Sequence, residues 1–314
     1  MTVSKKADSL TFLFSLYGVK YREKREEQGI FVKKFVTTTY RITTDKIKRH
    51  PLRFVMISDL HNVVFGERNE PVFEKIRALN PDAILIAGDL VLGKEDASLK
   101  PAAAFLGEAV KLAPILYGPG NHEQRMKLFT EEYGGRFSAF EKKMKQMGVS
   151  YLENERVVWQ IKGESVAVTG LDLPYEYYNR GPQKGPGRKE LEGLIGRPDK
   201  DVYEILLAHT PRFGDDYFAW GADLILSGHY HGGIMRLPFL GSVISPDFRL
   251  FPRYAYGEYR KKDRTPAKRA GRRQRVTGDE QIMITGAGLG EHTLPLRINN
   301  PRELVVLECL PKEV

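Results

Sequence analysis

Five of the seven histidines in this 314-residue sequence lie in short polar motifs that each follow an apolar run. The motifs are DLH, GNHE, AHTP and GHYH, and a GD motif adds an aspartate. Their candidate ligands and proton donors are Asp59, His61, Asp89, Asn121, His122, His209, His229 and His231. Imidazole suits transition-metal ions, whereas carboxylate and amide oxygens suit harder cations. A mixed set without a thiolate therefore points to a borderline divalent ion such as Mn²⁺, Fe²⁺ or Zn²⁺.

The number of candidate ligands indicates two ions rather than one. Seven candidates remain when His122 is set aside, which is too many for one site and suits two. Two ions about 3.5–4 Å apart, with a carboxylate between them, form a clamp for phosphoryl hydrolysis. A single aspartate after a strand is usually only a turn or helix cap. Five such motifs together are not expected by chance, so a dinuclear site is the better interpretation.

Apolar runs and helical patterns alternate from residue 53 onward, and each motif follows an apolar run. The pattern predicts strands over RFVMIS, DAILIAGD, PILYG, YEILLA and ADLIL, and helices over residues 70–80, 99–113 and 136–147. RVVWQI and SVAVTGLD are predicted as strands of a second sheet, and QIMITG and ELVVLECL as the closing strands. This alternation predicts an α/β fold, in which ligands bind at the carboxyl ends of the strands. Every motif lies at such an end.

The ordered motifs DLH, GDLV, GNHE, AHTP and GHYH resemble the calcineurin-like metallophosphoesterase superfamily over about residues 53–235. The later stretches GHYHGGIMRLPFLG and GAGLGEHTLPLRINN are similar to its bacterial YkuE/YaeI-like phosphodiesterase branch, which includes UDP-2,3-diacylglucosamine hydrolases. The resemblance implies a two-sheet α/β/β/α sandwich, the calcineurin-like phosphoesterase fold. Members of this branch usually begin with a membrane anchor or an export signal, and we expect neither here.

The resemblance also implies a role for each motif residue. One ion would be held by Asp59, His61 and His231, and Asp89 would bridge. The second ion would be held by Asn121, His209 and His229. In HYH, side chains two apart in an extended backbone point the same way, and a bend at the glycines can aim one at each ion.

The implied reaction is hydrolysis of a phosphodiester or pyrophosphate bond by a metal-bridging hydroxide, because paired ions lower the pKa of bound water. His122 would protonate the leaving group. Glu123 either orients His122 or is a solvated or helix-capping glutamate, and the second interpretation is favoured.

The substrate is predicted only by class, as a small or lipid-linked phosphodiester. Arg125, Arg236 and Arg297 lie near the motifs and could hold a phosphate, with a structural role as the alternative for each. Three tyrosines in the stretch 174–200 either line a cleft or pack that stretch onto the body: Tyr175, Tyr177 and Tyr178. A nuclease of the same superfamily is the alternative function. A non-catalytic scaffold is disfavoured because no ligand is missing. His292 is not assigned a role.

The net charge of +9 is concentrated in two stretches. Residues 1–50 hold twelve Lys/Arg against five acids, and residues 252–276 hold ten against two. We predict a basic N-terminal arm over 1–50 and a metallophosphoesterase domain over 51–314, with inserts at about 174–200 and 252–276. The basic stretches are solvated, or they contact a polyanion such as an anionic membrane. Nucleic acid is the less favoured partner, because the basic half of the second insert lacks aromatic residues for stacking.

Two further observations concern location. The apolar stretch LTFLFSLYGV has ten residues, whereas a spanning helix needs about 20. The single cysteine, Cys309, excludes an intramolecular disulfide and favours a reducing compartment. The sequence therefore predicts a cytoplasmic protein, with peripheral attachment to a membrane left open.

Overall fold

A computed structural model describes residues 33–261, 275–276, 280–291 and 296–312 of the chain. They belong to one compact unit. Seven α-helices are described: α1 (Glu70–Leu79), α2 (Lys100–Ala109), α3 (Asn121–Leu128), α4 (Thr130–Tyr133), α5 (Arg136–Gln146), α6 (Gly187–Ile195) and α7 (Gly214–Trp220). Two 3₁₀ helices lie at Tyr175–Tyr178 and Pro211–Phe213. Within these ranges, every helix is too short or too polar to cross a membrane.

The first sheet has seven strands in the order β13-β1-β15-β2-β3-β4-β5. The strands are β1 (Phe35–Thr44), β2 (Leu52–Ile57), β3 (Ala83–Ala87), β4 (Ile115–Gly118), β5 (Ser150–Tyr151), β13 (Arg275–Val276) and β15 (Arg302–Pro311). Strands β2 to β5 are parallel, as their connection through helices requires, whereas β15 is antiparallel to β2.

The second sheet has six strands in the order β12-β14-β9-β8-β7-β6. The strands are β6 (Arg156–Ile161), β7 (Glu164–Leu171), β8 (Tyr203–Ala208), β9 (Leu224–Ser227), β12 (Gly257–Arg260) and β14 (Ile282–Thr285). Strands β7, β8, β9 and β14 are parallel, and the two edge strands run antiparallel to their neighbours. A separate two-stranded ribbon is formed by β10 (Met235–Leu237) and β11 (Gly241–Ile244).

Alternation of buried side chains along the strands builds the layers. In β2, Phe54 and Met56 face the second sheet, whereas Val55 and Ile57 face helices α1, α2 and α5. In β9, Leu224 and Leu226 face the first sheet, and the intervening residue packs under α6 and α7. Both faces of each sheet are therefore covered, as mixed α/β sheets require. The result is the α/β/β/α sandwich that the sequence predicts.

Two segments that the sequence predicts as appendages contain strands of the sheets. Residues 35–44, placed in the predicted basic arm, form β1, which pairs in parallel with β15 over ten residue positions. The predicted insert at 252–276 begins with strand β12, which pairs with β14, and residues 275–276 pair with β1. The basic residues 1–32 and 262–274 lie outside the described residues, and so does His292.

Candidate metal centre

Every predicted ligand follows the carboxyl end of a parallel strand. Asp59 and His61 follow β2, Asp89 follows β3, Asn121 follows β4, and the remaining histidines follow β8 and β9. Five of the seven have the left-handed backbone that bulky residues rarely adopt: Asp59 (φ 50°), His61 (φ 46°), Asp89 (φ 55°), His229 (φ 65°) and His231 (φ 49°). Such strain is found chiefly at functional sites, where surrounding contacts maintain it.

The GHYH backbone differs from the predicted extended form, because both histidines have positive φ. Each nevertheless joins a different group of candidate ligands. His231 lies with Asp59 and His61, and His229 lies with Asp89 and His209, each group having its ligand atoms within 4.8 Å of one another. The two imidazoles are therefore separated by the turn itself rather than by a later bend at the glycines.

Polar bonds at this edge join the two sheets. The ring of His209, from the second sheet, lies with Nδ1 2.7 Å from the carbonyl oxygen of Ala87 in the first. The backbone N–H of His229 donates to Asp59 Oδ1 at 2.8 Å. Gly88 has φ 83°, and a Cβ there would lie 2.5 Å from His209 Nδ1. Only glycine therefore allows the two loops to approach this closely.

The two groups share a common centre. His61 Nε2 and His231 Nε2 are 3.1 Å apart, and His231 Nε2 lies 3.4 Å from Asp59 Oδ1. Asp89 Oδ2 lies 3.1 Å from His209 Nε2 and 3.7 Å from His61 Nε2, so its carboxylate stands between the groups. The position of Asp89 is the one expected of a bridging ligand.

The donor atoms fit divalent cations. Asp59 Oδ2 and Asn121 Oδ1 are buried and accept no hydrogen bond from any group in the described part of the chain. Such buried oxygens are costly unless they have a partner. His61 and His209 each direct Nδ1 at a carbonyl oxygen, which can only accept, so in the neutral ring Nε2 carries the lone pair. Two orphan oxygens and two imidazole nitrogens turned toward one cluster are an arrangement that a metal ion satisfies.

Opposite charges within the cluster shift its pKa values strongly. Burial acts to raise the pKa of Asp89, but the imidazoles of His209 and His122 outweigh it and hold that pKa well below its usual range. Burial acts to lower the pKa of His209, but the carboxylates of Asp89 and Asp59 raise it to about 10. For Asp59, burial is the largest effect and raises the pKa. The cluster is thus a set of coupled charges in a dry environment, which is typical of functional sites.

His122 lies beside the cluster, at the start of α3. The backbone N–H of Gly93 donates to its Nδ1 at 2.8 Å, so the proton of the neutral ring is on Nε2. That Nε2 lies 3.8 Å from Asp89 Oδ2, and the ring centroid is 4.6 Å from that of His61. Burial lowers the pKa of His122 well below its usual range. The ring therefore presents an N–H toward the cluster.

Glu123 binds backbone N–H groups of the neighbouring loops rather than contacting His122. Its carboxylate accepts backbone N–H groups of Gly120 and Asp89, each at 2.9 Å, and of Val91 at 3.2 Å, and also the hydroxyl of Tyr117. By accepting the N–H of Gly120, it supplies the glutamate half of a capping box at the start of α3. The favoured interpretation from the sequence, a helix cap, matches this geometry, although the residue is fully buried rather than solvated.

The three arginines predicted to hold a phosphate lie in different surroundings. Arg125 donates to the carbonyl oxygen of Gly93 at 2.7 Å, beside His122. Arg297 donates to Gly290 at 2.8 Å and approaches His231 Nδ1 at 3.3 Å. Arg236 lies over the ring of Tyr256, 3.6 Å from its centroid. Arg125 and Arg297 thus border the cluster, and Arg236 stacks on a neighbouring loop.

The three tyrosines of the stretch 174–200 divide between the two predicted roles. Tyr178 lies against the candidate ligands, with its ring centroid 5.6 Å from that of His229. Tyr177 packs on Phe213 and donates to Glu190, so it holds the loop to the body. Tyr175 contacts Phe129 instead.

Asp172 is a titratable residue at the same sheet edge that the sequence reasoning passed over. It follows β7, and its Oδ1 accepts from Gln124 Nε2 at 2.7 Å. Burial raises its pKa to about 7, although the hydrogen bond from Gln124 opposes the shift. The stretch VTGLD carries the same signal as the other motifs, an apolar run ending in glycine and aspartate, and could have identified it.

Comparison with known proteins agrees with this geometry. Residues 52–233, more than half of the chain, match the family model described as calcineurin-like phosphoesterase. The chain is 28% identical over 216 residues to the uncharacterized protein YpbG of Bacillus subtilis, covering 65% of this chain and 70% of YpbG. It is 26% identical over 260 residues to the uncharacterized metallophosphoesterase YkuE of the same organism, covering 81% of this chain and 77% of YkuE.

A third relative is an uncharacterized metallophosphoesterase of Helicobacter pylori, 25% identical over 279 residues. The match covers 86% of this chain and 63% of the relative, so the chain spans less than two thirds of that protein. The predicted resemblance to the superfamily and to YkuE is confirmed.

Proposed function

The chain belongs to the calcineurin-like phosphoesterase family and carries a buried Asp/His metal-binding cluster, and from this premise we propose that it hydrolyses a phosphodiester or pyrophosphate bond of a small or lipid-linked substrate. The observation that carries the proposal is the position of Asp89, whose carboxylate lies between two groups of imidazole ligands. A carboxylate shared by two ligand groups is the signature of a dinuclear centre.

The residues divide the work as follows. Asp59, His61 and His231 would hold one divalent ion, Asn121, His209 and His229 the other, and Asp89 both. Bound ions of this kind, Mn²⁺, Fe²⁺ or Zn²⁺, activate water and neutralise charge on the phosphoryl oxygens.

Around the ions, protein groups orient the substrate and control protons. His122 would place its Nε2–H against the leaving-group oxygen, while the N–H of Gly93 fixes the orientation of the ring. Arg125 and Arg297 border the cluster as cations that can face a phosphate. Tyr178 covers His229 and His209 from one side and limits the access of water.

Substitution of Asp89 tests the proposal. The purified full-length protein, supplied with Mn²⁺, should hydrolyse bis(p-nitrophenyl) phosphate faster than the monoester p-nitrophenyl phosphate. Asp89→Asn should lower that rate on the order of 100-fold or more and reduce the bound metal, because the neutral amide has only one oxygen and no negative charge with which to hold two cations. Asp96→Asn, an exposed carboxylate on the loop after the same strand, is the matched control and should change neither.

Full metal content and full rate in Asp89→Asn would exclude the centre. Faster cleavage of the monoester would contradict the diester preference. A nucleotide-sugar pyrophosphate and an oligonucleotide in the same assay separate the pyrophosphatase and nuclease alternatives, because only the nuclease should favour the oligonucleotide.

A further inference from the structure

Large apolar side chains are concentrated at the surface of the β10–β11 ribbon and the loop that follows it. The apolar ribbon surface comprises Phe239 (90% exposed), Leu240 (63%), Phe248 (52%), Leu250 (69%) and Phe251 (60%). These five are half of the ten exposed large hydrophobic residues in the described ranges, and they all lie within thirteen consecutive positions. Scattered exposed leucines need no explanation, but a cluster of this kind marks an interaction site.

The backbone presents these rings at a cost. Phe239 (φ 70°), Phe248 (φ 65°) and Phe251 (φ 48°) all have the left-handed conformation, which is unfavourable for a bulky side chain. Glycine or asparagine would form the same turns with less strain. A surface loop that carries strained phenylalanines instead of glycine or asparagine is expected to use their rings for binding.

The charges around the apolar ribbon surface favour an anionic partner. Residues 234–256 contain three arginines, Arg236, Arg249 and Arg253, and a single acid, Asp247. Arg249 pairs with Asp247 and Arg253 with Asp215, so one positive charge is in excess of the acids that these arginines contact. Arginine beside exposed phenylalanine and leucine is the composition of segments that lie at the boundary between lipid headgroups and acyl chains. A hairpin tip such as Phe239 and Leu240 can enter a bilayer without a matching groove, which a protein partner would have to supply.

We propose that the apolar ribbon surface docks the protein on an anionic lipid bilayer, with Leu240 and Leu250 entering the acyl region and the arginines contacting headgroups. The ribbon starts close to the metal centre, because β10 begins four residues after His231. Asn300 Nδ2 holds the turn between them by donating to the carbonyl oxygen of His231 at 2.7 Å and to that of Gly233. Phe239 is eight residues from His231, a span of at most about 29 Å. The centre is therefore within reach of headgroup phosphates. The inference that the centre acts at headgroup phosphates rests on the proposed function, and it selects the lipid-linked substrate class.

Vesicle binding tests the docking surface directly. The full-length protein should co-sediment with vesicles containing phosphatidylglycerol and much less with phosphatidylcholine alone. The double variant Leu240→Ser/Leu250→Ser should lower the partition coefficient at least about tenfold, because two leucine side chains no longer leave water. Val158→Ser, a half-exposed residue on β6, is the matched control and should bind as the unmodified protein does. Equal binding of the double variant would overturn the proposal.

A second measurement tests docking in a variant that keeps the apolar surface, so that misfolding of the double variant cannot be mistaken for a loss of docking. A Leu240→Trp variant should show fluorescence quenching by brominated lipid in anionic vesicles, and absence of quenching would overturn the proposal. A light-scattering mass that is dimeric in the unmodified protein and monomeric in the double variant would show that a second copy covers the surface, and would also overturn it.

Hydrolysis separates the two proposals. The double variant should hydrolyse bis(p-nitrophenyl) phosphate at the unmodified rate, because none of the changed residues contacts the metal cluster. Vesicle binding without any hydrolysis would support docking and contradict the proposed function. Hydrolysis without vesicle binding would support the proposed function and contradict docking.

Discussion

His122 is the residue at the centre whose role depends most on a single hydrogen bond. The N–H of Gly93 occupies its Nδ1, which leaves Nε2–H directed at Asp89. A ligand histidine needs the opposite tautomer, as seen at His61 and His209, where Nδ1 faces a carbonyl oxygen. The structure therefore separates a hydrogen-donating histidine from metal-binding ones by backbone groups alone.

This difference predicts how His122→Ala should behave. Loss of a proton or hydrogen-bond donor to the leaving group lowers the rate typically by about 10²–10⁴-fold when the leaving group is poor. With p-nitrophenolate, which departs without help, the loss should be much smaller. The measurement is kcat for an alkyl and a nitrophenyl diester, with metal content as the control. Equal losses for both substrates would assign His122 to metal binding instead.

Asp172 predicts a pH dependence of stability. Its pKa is raised from 3.8 to about 7 by burial, so between these pH values the folded state holds a proton that the unfolded chain has released. Stability therefore falls as the pH rises through this range, and the loss is complete above about pH 7. Asp172→Asn removes the charge and keeps a side-chain oxygen that can accept from Gln124.

We expect Asp172→Asn to raise the free energy of unfolding at pH 8 by about 2 kcal/mol, below the upper bound of about 4 kcal/mol that the shift implies. At pH 4 the two proteins should have nearly the same stability. Urea unfolding at both pH values measures the difference. Asp199→Asn, at an exposed carboxylate, is the control and should change little at either pH. A constant difference at both pH values would show that the charge is not responsible.

At the scale of elements, β1 shows what charge counting cannot detect. The stretch that precedes the first predicted strand is basic, and it was grouped with the predicted arm. Its residues FVTTTYRITT alternate, however, and Tyr40 and Ile42 are buried between the sheets. Its partner β15 lies more than 260 residues away, so no local pattern reveals the pairing. The alternation was the available signal, and the lysines and arginines concealed it.

Truncation separates the arm from the strand. A chain that starts at residue 51 lacks β1 and leaves one side of β15 unpaired, so it should not give a soluble, cooperatively unfolding protein. A chain that starts at residue 33 retains every described strand and should unfold cooperatively. Its thermal midpoint should lie within a few degrees of that of the full chain. Circular dichroism and urea titration compare the two. Cooperative unfolding of the shorter chain would show that β1 is dispensable.

Helix α3 was also missed, for a different reason. Its residues NHEQRMKL have no apolar stripe, so the sequence predicts helices only over residues 70–80, 99–113 and 136–147. The helix starts because Glu123 caps it while also accepting N–H groups of the loop after β3. A helix fixed by tertiary hydrogen bonds rather than by its own periodicity is not visible to a pattern search.

For the whole molecule, the sequence predicted the layers and the edge at which the candidate ligands meet. Alternation of strands and helices indicated an α/β fold, the order of the polar motifs led to the family, and the family resemblance implied the two-sheet sandwich. The sequence did not predict the antiparallel strands at the edges of the second sheet, or the apolar ribbon surface. Both depend on contacts between distant segments or on exposure, which the order of residues along a strand does not encode.

The polar bonds that join the sheets at the ligand edge have a mechanical consequence. Between the two ends the sheets meet through apolar side chains, which resist separation but have little directional preference. Directional bonds such as those from His209 to Ala87 and from His229 to Asp59 resist sliding as well. Comparable bonds join the sheets at the far end, where Glu164 accepts the backbone N–H groups of Lys48 and His50 and where Lys46 pairs with Asp223. Thermal sliding of one sheet past the other should therefore be small at both ends. The protein can tolerate substitutions in most of its apolar interior while the ligand atoms of the centre keep their relative positions.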